Sequence, residues 1–258
     1  MVSRSLTVAA FAAGAFMIPA AATAPVTLKY RINQKTEQVV DLSGMGQGEQ
    51  RTAIALTTFV TVGLADSAGG YSVRVALDSI RHDSGSTHEA AAAAATLNGA
   101  TGTAFVGADG KLTGFKGDSV ATRASAVHGA LTPLFPAIKP KVKAGDTWTD
   151  TTEVTTPNAQ GTLTRRSITT YTASAGDTRN GVKTVKITTA GSFSVAGLIG
   201  PQTIEGTGKN TGTIFVGPDN RYMGGTTDEE FSLSVTIPQA PDPIPVTGKS
   251  ALVISTLP

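Results

Sequence analysis

The chain has three histidines, and two of them lie close together beside acidic residues. His82 precedes Asp83, and His88 precedes Glu89. Imidazole nitrogens and carboxylate oxygens are common metal ligands, and His128 would supply a third nitrogen. The segment around them is rich in Gly and Ser, which favours a solvated loop. We therefore expect no metal and no other cofactor, and a metal site formed by His82, His88 and His128 is the minor alternative.

A serine motif also suggests chemistry, because Gly117-Asp118-Ser119-Val120 is similar to the nucleophile segment of Gly-Asp-Ser-Leu esterases. A serine nucleophile needs a histidine base, which that family supplies from near its C-terminus. The last histidine here, His128, follows shortly after Ser119 on the same predicted helix. Capping of this helix by Asp118 or Ser119 is therefore the favoured interpretation.

Glycine-rich segments do not predict a nucleotide site. Gly248-Lys249-Ser250 has the ending of a phosphate-binding loop, but Pro243 stands where that loop needs a glycine, and a strand follows. The glycine clusters at 44–48 and 206–208 lack the context of a dinucleotide fold and are interpreted as turns or bulges. We predict that the protein is not an enzyme, with a metal-assisted hydrolase as the least favoured alternative.

The composition is that of a folded and nearly neutral protein. It is 40% hydrophobic and only 16% charged, which excludes a disordered chain. The net charge of +2 and the 5% content of aromatic residues predict no nucleic-acid partner. With 0 Cys, disulfides and thiolate metal sites are excluded.

The first 22 residues have the pattern of a secretory signal peptide. Arg4 supplies the positive charge, and the apolar stretch from Leu6 to Ile18 is too short to cross a bilayer. Cleavage is expected after Ala22, with Ala24 as the alternative. No Cys follows for lipid attachment, and no transmembrane segment is expected after cleavage. We predict a bacterial protein of the periplasm or the cell exterior.

Alternating apolar and polar residues dominate the remaining chain and predict long antiparallel strands with one buried face. The clearest case is Phe231–Ile237. The predicted fold is mainly β: a large curved antiparallel sheet or partial barrel. Gly or Asn residues predict hairpin turns at 68–70, 109–110, 180–181 and 219–220.

Two helices are predicted. An amphipathic helix over Ser119–Leu134 is expected to pack against the sheet and to be closed by Pro133 and Pro136. A shorter helix is expected over Ala90–Ala95, because Ser86 and Glu89 have the spacing of a capping box.

An internal similarity predicts two related β units. Residues 102–109 match residues 212–219 at an offset of 110, and Gly114 matches Gly224 at the same offset. The alternative is that two hairpins share turn chemistry. The predicted organisation is a signal peptide at 1–22, a first β unit at 23–117, a helix and connection at 118–144, and a second β unit at 145–258. One continuous sheet and two packed lobes both remain open.

The segment Pro136–Trp148 carries a family resemblance. Its Pro-Lys-Val-Lys-x-Gly-Asp-x-Trp part resembles a segment of uncharacterised β-rich secreted proteins and lipoproteins of bacteria. A curved sheet with a helix against its concave side is also similar to the LolA/LppX-type lipid carriers, which implies a lipid ligand. From the residues alone, Gly145-Asp146 is predicted to be a turn and Trp148 to lie at the start of a strand.

We therefore expect an exported, non-enzymatic protein that binds an apolar or amphipathic molecule, such as a lipid, between sheet and helix. The predicted ligand contacts are Val127, Leu131, Phe135 and Trp148. The alternative is a structural or interaction module of the envelope, which would bind another protein through strand faces or edges.

Overall fold

The computed structural model describes residues 25–258 except 83–93, 108–109, 137, 140, 159–160, 219–220, 239 and 241. Across these residues the chain forms eleven strands and the helix α1, with 3-10 turns at Ser43–Met45 and Thr132–Leu134. The elements in chain order are β1 (Val26–Asp41), β2 (Glu49–Ser67), β3 (Gly70–His82), β4 (Thr101–Gly107), β5 (Leu112–Gly117), α1 (Ala121–Leu131), β6 (Thr147–Asn158), β7 (Gly161–Arg179), β8 (Val182–Ile199), β9 (Gln202–Val216), β10 (Tyr222–Thr236) and β11 (Ile244–Leu257).

All the strands pair antiparallel in one open sheet, in the order β5-β4-β3-β2-β1-β11-β10-β9-β8-β7-β6. The first and last strands pair at its centre, from Lys29 opposite Leu257 to Val40 opposite Val246. Two meanders spread outward from this central pair and end at the edge strands β5 and β6. The predicted mainly β class, with a helix packed against a large antiparallel sheet, is confirmed, and the sheet is continuous.

The connection from β5 to β6 has to pass from one edge of the sheet to the other, and it does so along one face, which we call the inner face. Val127 and Leu131 of α1 are fully buried in a core that includes Leu77 of β3. Farther along the connection, Ile138 and Val142 enter a second core with residues of β7, β8 and β9. The connection therefore covers parts of both meanders.

Helix α1 is shorter than the predicted Ser119–Leu134, because the chain tightens into a 3-10 turn at Thr132–Leu134, where Pro133 has no N–H for a helical hydrogen bond. At its other end, the Asp118 carboxylate accepts the Val120 N–H at 3.2 Å and the Arg123 Nε–H at 2.9 Å. The N-cap residue is Val120 and no side chain caps the helix, so the predicted capping by Asp118 or Ser119 is wrong, and Asp118 instead contacts Val120 and Arg123 near the helix start. Of the predicted Ala90–Ala95 helix, Ala94 and Ala95 are helical and the rest lies outside the described residues.

The predicted hairpin turns after β2 and β7 are confirmed. Gly69 has φ +81°, and Asn180 and Gly181 have φ +48° and +76°, the pair of positive values that a type I′ turn requires. The turn after β4 contains Gly110, with φ +78°, while Asp109 and residues 219–220 lie outside the described residues.

The two segments that match at an offset of 110 residues lie at the ends of strands β4 and β9. The Gly107 N–H donates to the Lys111 carbonyl at 3.1 Å, and the Gly217 N–H donates to the Arg221 carbonyl at 2.9 Å. Gly114 and Gly224 both have positive φ and lie at bulges of β5 and β10. These are geometries that a duplication would produce, and the duplication itself stays a prediction.

Candidate ligand-binding cleft

Helix α1 leaves a cleft of about 910 Å³ between itself and the inner face, which we call the helix cleft. Binding sites for small molecules commonly occupy roughly 300–1,000 Å³. The helix contributes Thr122, Ala126 and Ala130, which recur at four-residue spacing and so share one side of α1. Because these side chains are short, they do not fill the space between this side of the helix and the sheet.

The sheet contributes an apolar part of the lining. Residues directly opposite each other in an antiparallel pair point to the same face, so their register places these side chains together. Ile32 lies opposite Ile254, and Leu252 lies opposite Gln34, which in turn lies opposite Leu56. The large apolar lining residues are Ile32, Leu56, Ile80 and Leu252 of the sheet, together with Leu97 of the turn before β4.

The same cleft has a polar part, formed mainly by β1, β10 and β11. Gln34, Thr227, Glu229 and Ser250 line it, and Ser250 Oγ lies 3.2 Å from the Oγ1 of Thr36. The cleft thus presents an apolar surface next to a surface of hydroxyl, amide and carboxylate groups, which is the arrangement that suits an amphipathic molecule.

Glu229 is held by an arginine from a distant strand. Arg165 of β7 donates to Glu229 of β10 through two nitrogens, with Nη2 2.6 Å from Oε1 and Nη1 3.3 Å from Oε2. The guanidinium also lies over the ring of Phe193, 3.8 Å from its centroid. The two residues are separated by β8 and β9, and their register differs by four residues. On a flat sheet the Cα atoms of Arg165 and Glu229 would be separated by about 14 Å across the strands and about 13 Å along them. The inner face is therefore concave here.

Of the three predicted metal ligands, His82 and His128 lie on different elements, β3 and α1. His82 lines the helix cleft, where its Nδ1 is buried without a hydrogen-bond partner. His128 lies on α1 and packs edge-on against Phe115, with ring centroids 4.9 Å apart. His88 lies outside the described residues. Among the residues that are described, no three His, Asp or Glu side chains form a group that could hold a metal ion.

Two of the four predicted ligand contacts are part of the packed core. Val127 and Leu131 are completely buried and line neither the helix cleft nor a second cleft beside the same connection. Phe135 lines that second cleft, of about 730 Å³, together with Tyr30 and Tyr222. The hydrophobic periodicity identified the side of α1 that the sheet covers. The small side chains on the neighbouring side, which line the helix cleft, have no comparable signal in the sequence.

Trp148 belongs to a clasp that holds the connection against β6 and β7. Its indole stacks on Tyr171, with centroids 4.8 Å apart and planes at 3°, and the ammonium of Lys139 lies 5.1 Å from its centroid. Lys139 also pairs with Asp146 at 3.0 Å. The predicted turn and strand start are confirmed, since Gly145 has φ +95° and β6 begins at Thr147.

The pKa of Asp146 is lowered by two contacts within the same clasp. The Lys143 backbone N–H donates to its carboxylate at 2.9 Å and has the larger effect, and the hydrogen bond from Lys139 lowers the pKa further. Both contacts favour the ionised carboxylate. These contacts give structural roles to Gly145, Asp146 and Trp148 of the segment, while Lys143 contributes its backbone N–H.

Searches of protein-family models, curated proteins and solved structures find nothing that matches this chain. In the part of the chain that the structure describes, no helix has both the length and the apolar character needed to span a membrane.

Proposed function

We propose that this protein is an exported, non-enzymatic binding protein that holds an apolar or amphipathic small molecule in the helix cleft. The observation that carries this proposal is the space of about 910 Å³ between α1 and the inner face. The apolar residues on its sheet side would remove the hydrocarbon part of a ligand from water, which contributes about 25 cal/mol for each Å² buried. Export to the periplasm or exterior is proposed from the signal-like residues 1–22.

The helix side of the cleft supports the proposal because its small residues keep the space open. Ala130 and Ala126 line the cleft and are only partly buried, and a Cβ added to Gly129 would meet no atom within 4 Å. A large side chain at Ala130 would therefore enter the space that we assign to the ligand.

The test uses N-phenyl-1-naphthylamine, an uncharged dye whose fluorescence rises in apolar surroundings. We expect the wild-type protein and Ala121→Trp to bind the dye, and Ala130→Trp to bind it much more weakly. Ala121 is the matched control, because it is an exposed alanine on the same helix and lines neither cleft. Thr227→Trp would obstruct the cleft from the sheet side and should give the same loss. Absence of dye binding to the wild-type protein, or undiminished binding by both obstructed variants, would overturn the proposal.

The second candidate function is an envelope interaction module, and the edge strand β6 favours it. Among the described residues, β6 pairs only with β7, so its other side has backbone groups available to an added strand. The Thr151 N–H at this edge donates to the neighbouring Asp150 side chain at 2.8 Å. An envelope protein that co-purifies with the wild-type protein and is lost with Thr151→Pro would support this function. Equal recovery of that envelope protein with the wild-type protein and with Thr151→Pro would oppose this function.

A further inference from the structure

We infer that the amphiphile held in the helix cleft has an uncharged, hydroxyl-bearing head rather than an anionic head such as a carboxylate or phosphate. This inference rests on the proposed function and names the chemical class of its ligand. It follows from the charges and hydrogen-bonding groups that line the cleft.

The first observation is that His82 is the one basic residue in the described lining of the cleft, and that this lining has no permanent positive charge. None of the described residues that line it is Lys or Arg. Residues 83–93, which the structure does not describe, include no Lys or Arg in their sequence. An anionic head would lose its hydration on entering the cleft and would meet no lysine or arginine charge in return, which is costly.

The second observation is that the carboxylate in the cleft is already neutralised. Arg165 uses Nη1 and Nη2 on Glu229 and its Nε on Ser167 Oγ at 3.3 Å, while its guanidinium face lies on Phe193. An anionic head could recruit Arg165 only by displacing Glu229. A cationic head would equally have to displace Arg165, so the pair favours neither sign of charge.

The third observation is that the other side chains in the polar part of the cleft can both donate and accept hydrogen bonds. Thr227 and Glu229 are successive inner-face positions of β10, and Ser250 lies directly opposite Glu229 on β11. Gln34 lies opposite Leu252, so its amide is next to the apolar lining. Hydroxyl and amide groups of this kind match the hydroxyls of a glyceride or a sugar. The apolar chain would then lie along Ile32 and Leu56.

The test compares two compounds that share a decanoyl chain, monodecanoylglycerol and decanoate, as competitors of the bound dye at neutral pH and below micelle formation. We expect monodecanoylglycerol to displace the dye at about tenfold lower concentration, which corresponds to about 1.4 kcal/mol. Equal or better displacement by decanoate would overturn the head-group inference and leave the proposed function standing. Failure of the wild-type protein to bind the dye at all would remove the proposed function itself.

Charge variants test the same inference through the protein. Glu229→Gln leaves Arg165 without its counterion, so decanoate should gain at least about fivefold in affinity while monodecanoylglycerol changes little. The matched control is Glu230→Gln, because Glu230 is the next residue, lies on the opposite face and pairs with Lys249 at 2.7 Å. The double variant R165M/E229Q removes both charges and should restore the preference for monodecanoylglycerol. Identical behaviour of E229Q and E230Q, or a decanoate gain that persists in the double variant, would contradict the inference.

Discussion

Gly117 at the end of β5 lies against Ala124 of α1, so closely that a Cβ added to Gly117 would be 2.5 Å from the Cβ of Ala124. This contact brings the helix down onto the edge of the sheet at one side. It also helps to set the rotation of the helix, since Val127 enters the core while Ala130 lines the cleft. The helix cleft therefore depends on a glycine that lies outside it.

Gly117→Ala should lower the free energy of unfolding by about 1–3 kcal/mol, because the added methyl group displaces the helix from β5. Gly129→Ala is the control within the same helix. Its added Cβ meets no atom within 4 Å, so the better helix propensity of alanine should raise stability by about 0.5–1 kcal/mol. Urea unfolding followed by circular dichroism measures both. A destabilisation of the same size in both variants would contradict the packing that we describe.

Arg165→Ala should lower the free energy of unfolding by about 1–2 kcal/mol, because it removes a two-point ion pair and the cation–π contact with Phe193. Arg165→Lys should recover only part of the loss, since an ammonium does not reproduce the planar fork of the guanidinium. The control is Lys249→Ala, which breaks an exposed pair on the outer face and should leave stability nearly unchanged. If Arg165→Ala and Lys249→Ala lower the free energy of unfolding equally in chemical denaturation, the partly buried ion pair of Arg165 with Glu229 does not stabilise the fold as we describe.

Asp146→Asn should destabilise the protein at neutral pH and progressively less as the pH falls. The folded state holds the pKa of Asp146 below its ordinary value, so the unfolded chain takes up the proton first during acidification. The contribution of this carboxylate is therefore fully present above about pH 4 and is lost as the pH falls through the folded-state pKa. Unfolding free energies of both proteins at pH steps between about 7 and 3 measure the difference. A difference that does not shrink on acidification would show that Asp146 does not stabilise the clasp as an anion.

Trp148→Ala should cost about 1–3 kcal/mol of stability, because the indole packs between Tyr171 and Lys139 in the clasp. Trp148→Phe should retain most of that stability and bind N-phenyl-1-naphthylamine as tightly as the wild-type protein, since Trp148 does not line the helix cleft. Thermal unfolding and dye titration measure the two effects separately. A folded Trp148→Phe protein with weakened dye binding would show that Trp148 contacts the ligand, as the sequence predicted.

Local patterns in the sequence were sufficient to predict individual strands, hairpin turns and the helix. Alternating side chains from Phe231 onward predicted a strand, and the Asn180-Gly181 pair predicted a tight hairpin, because each depends on residues that are neighbours in the chain. The helix was predicted in the correct place, and its end moved because Pro133 permitted only a 3-10 turn there.

The sequence by itself determined that the chain would form long antiparallel strands, tight hairpins and one helix with a buried side. Only the tertiary structure decided that Lys29 pairs with Leu257 at the centre of the sheet and that Arg165 reaches Glu229 across two strands. It also decided the position of the cleft, which lies beside Ala126 and Ala130 and not beside Val127 and Leu131. The physical reason is that a strand or turn follows from neighbouring residues, whereas a cleft is the space left between two surfaces whose separation depends on distant contacts such as that of Gly117 with Ala124.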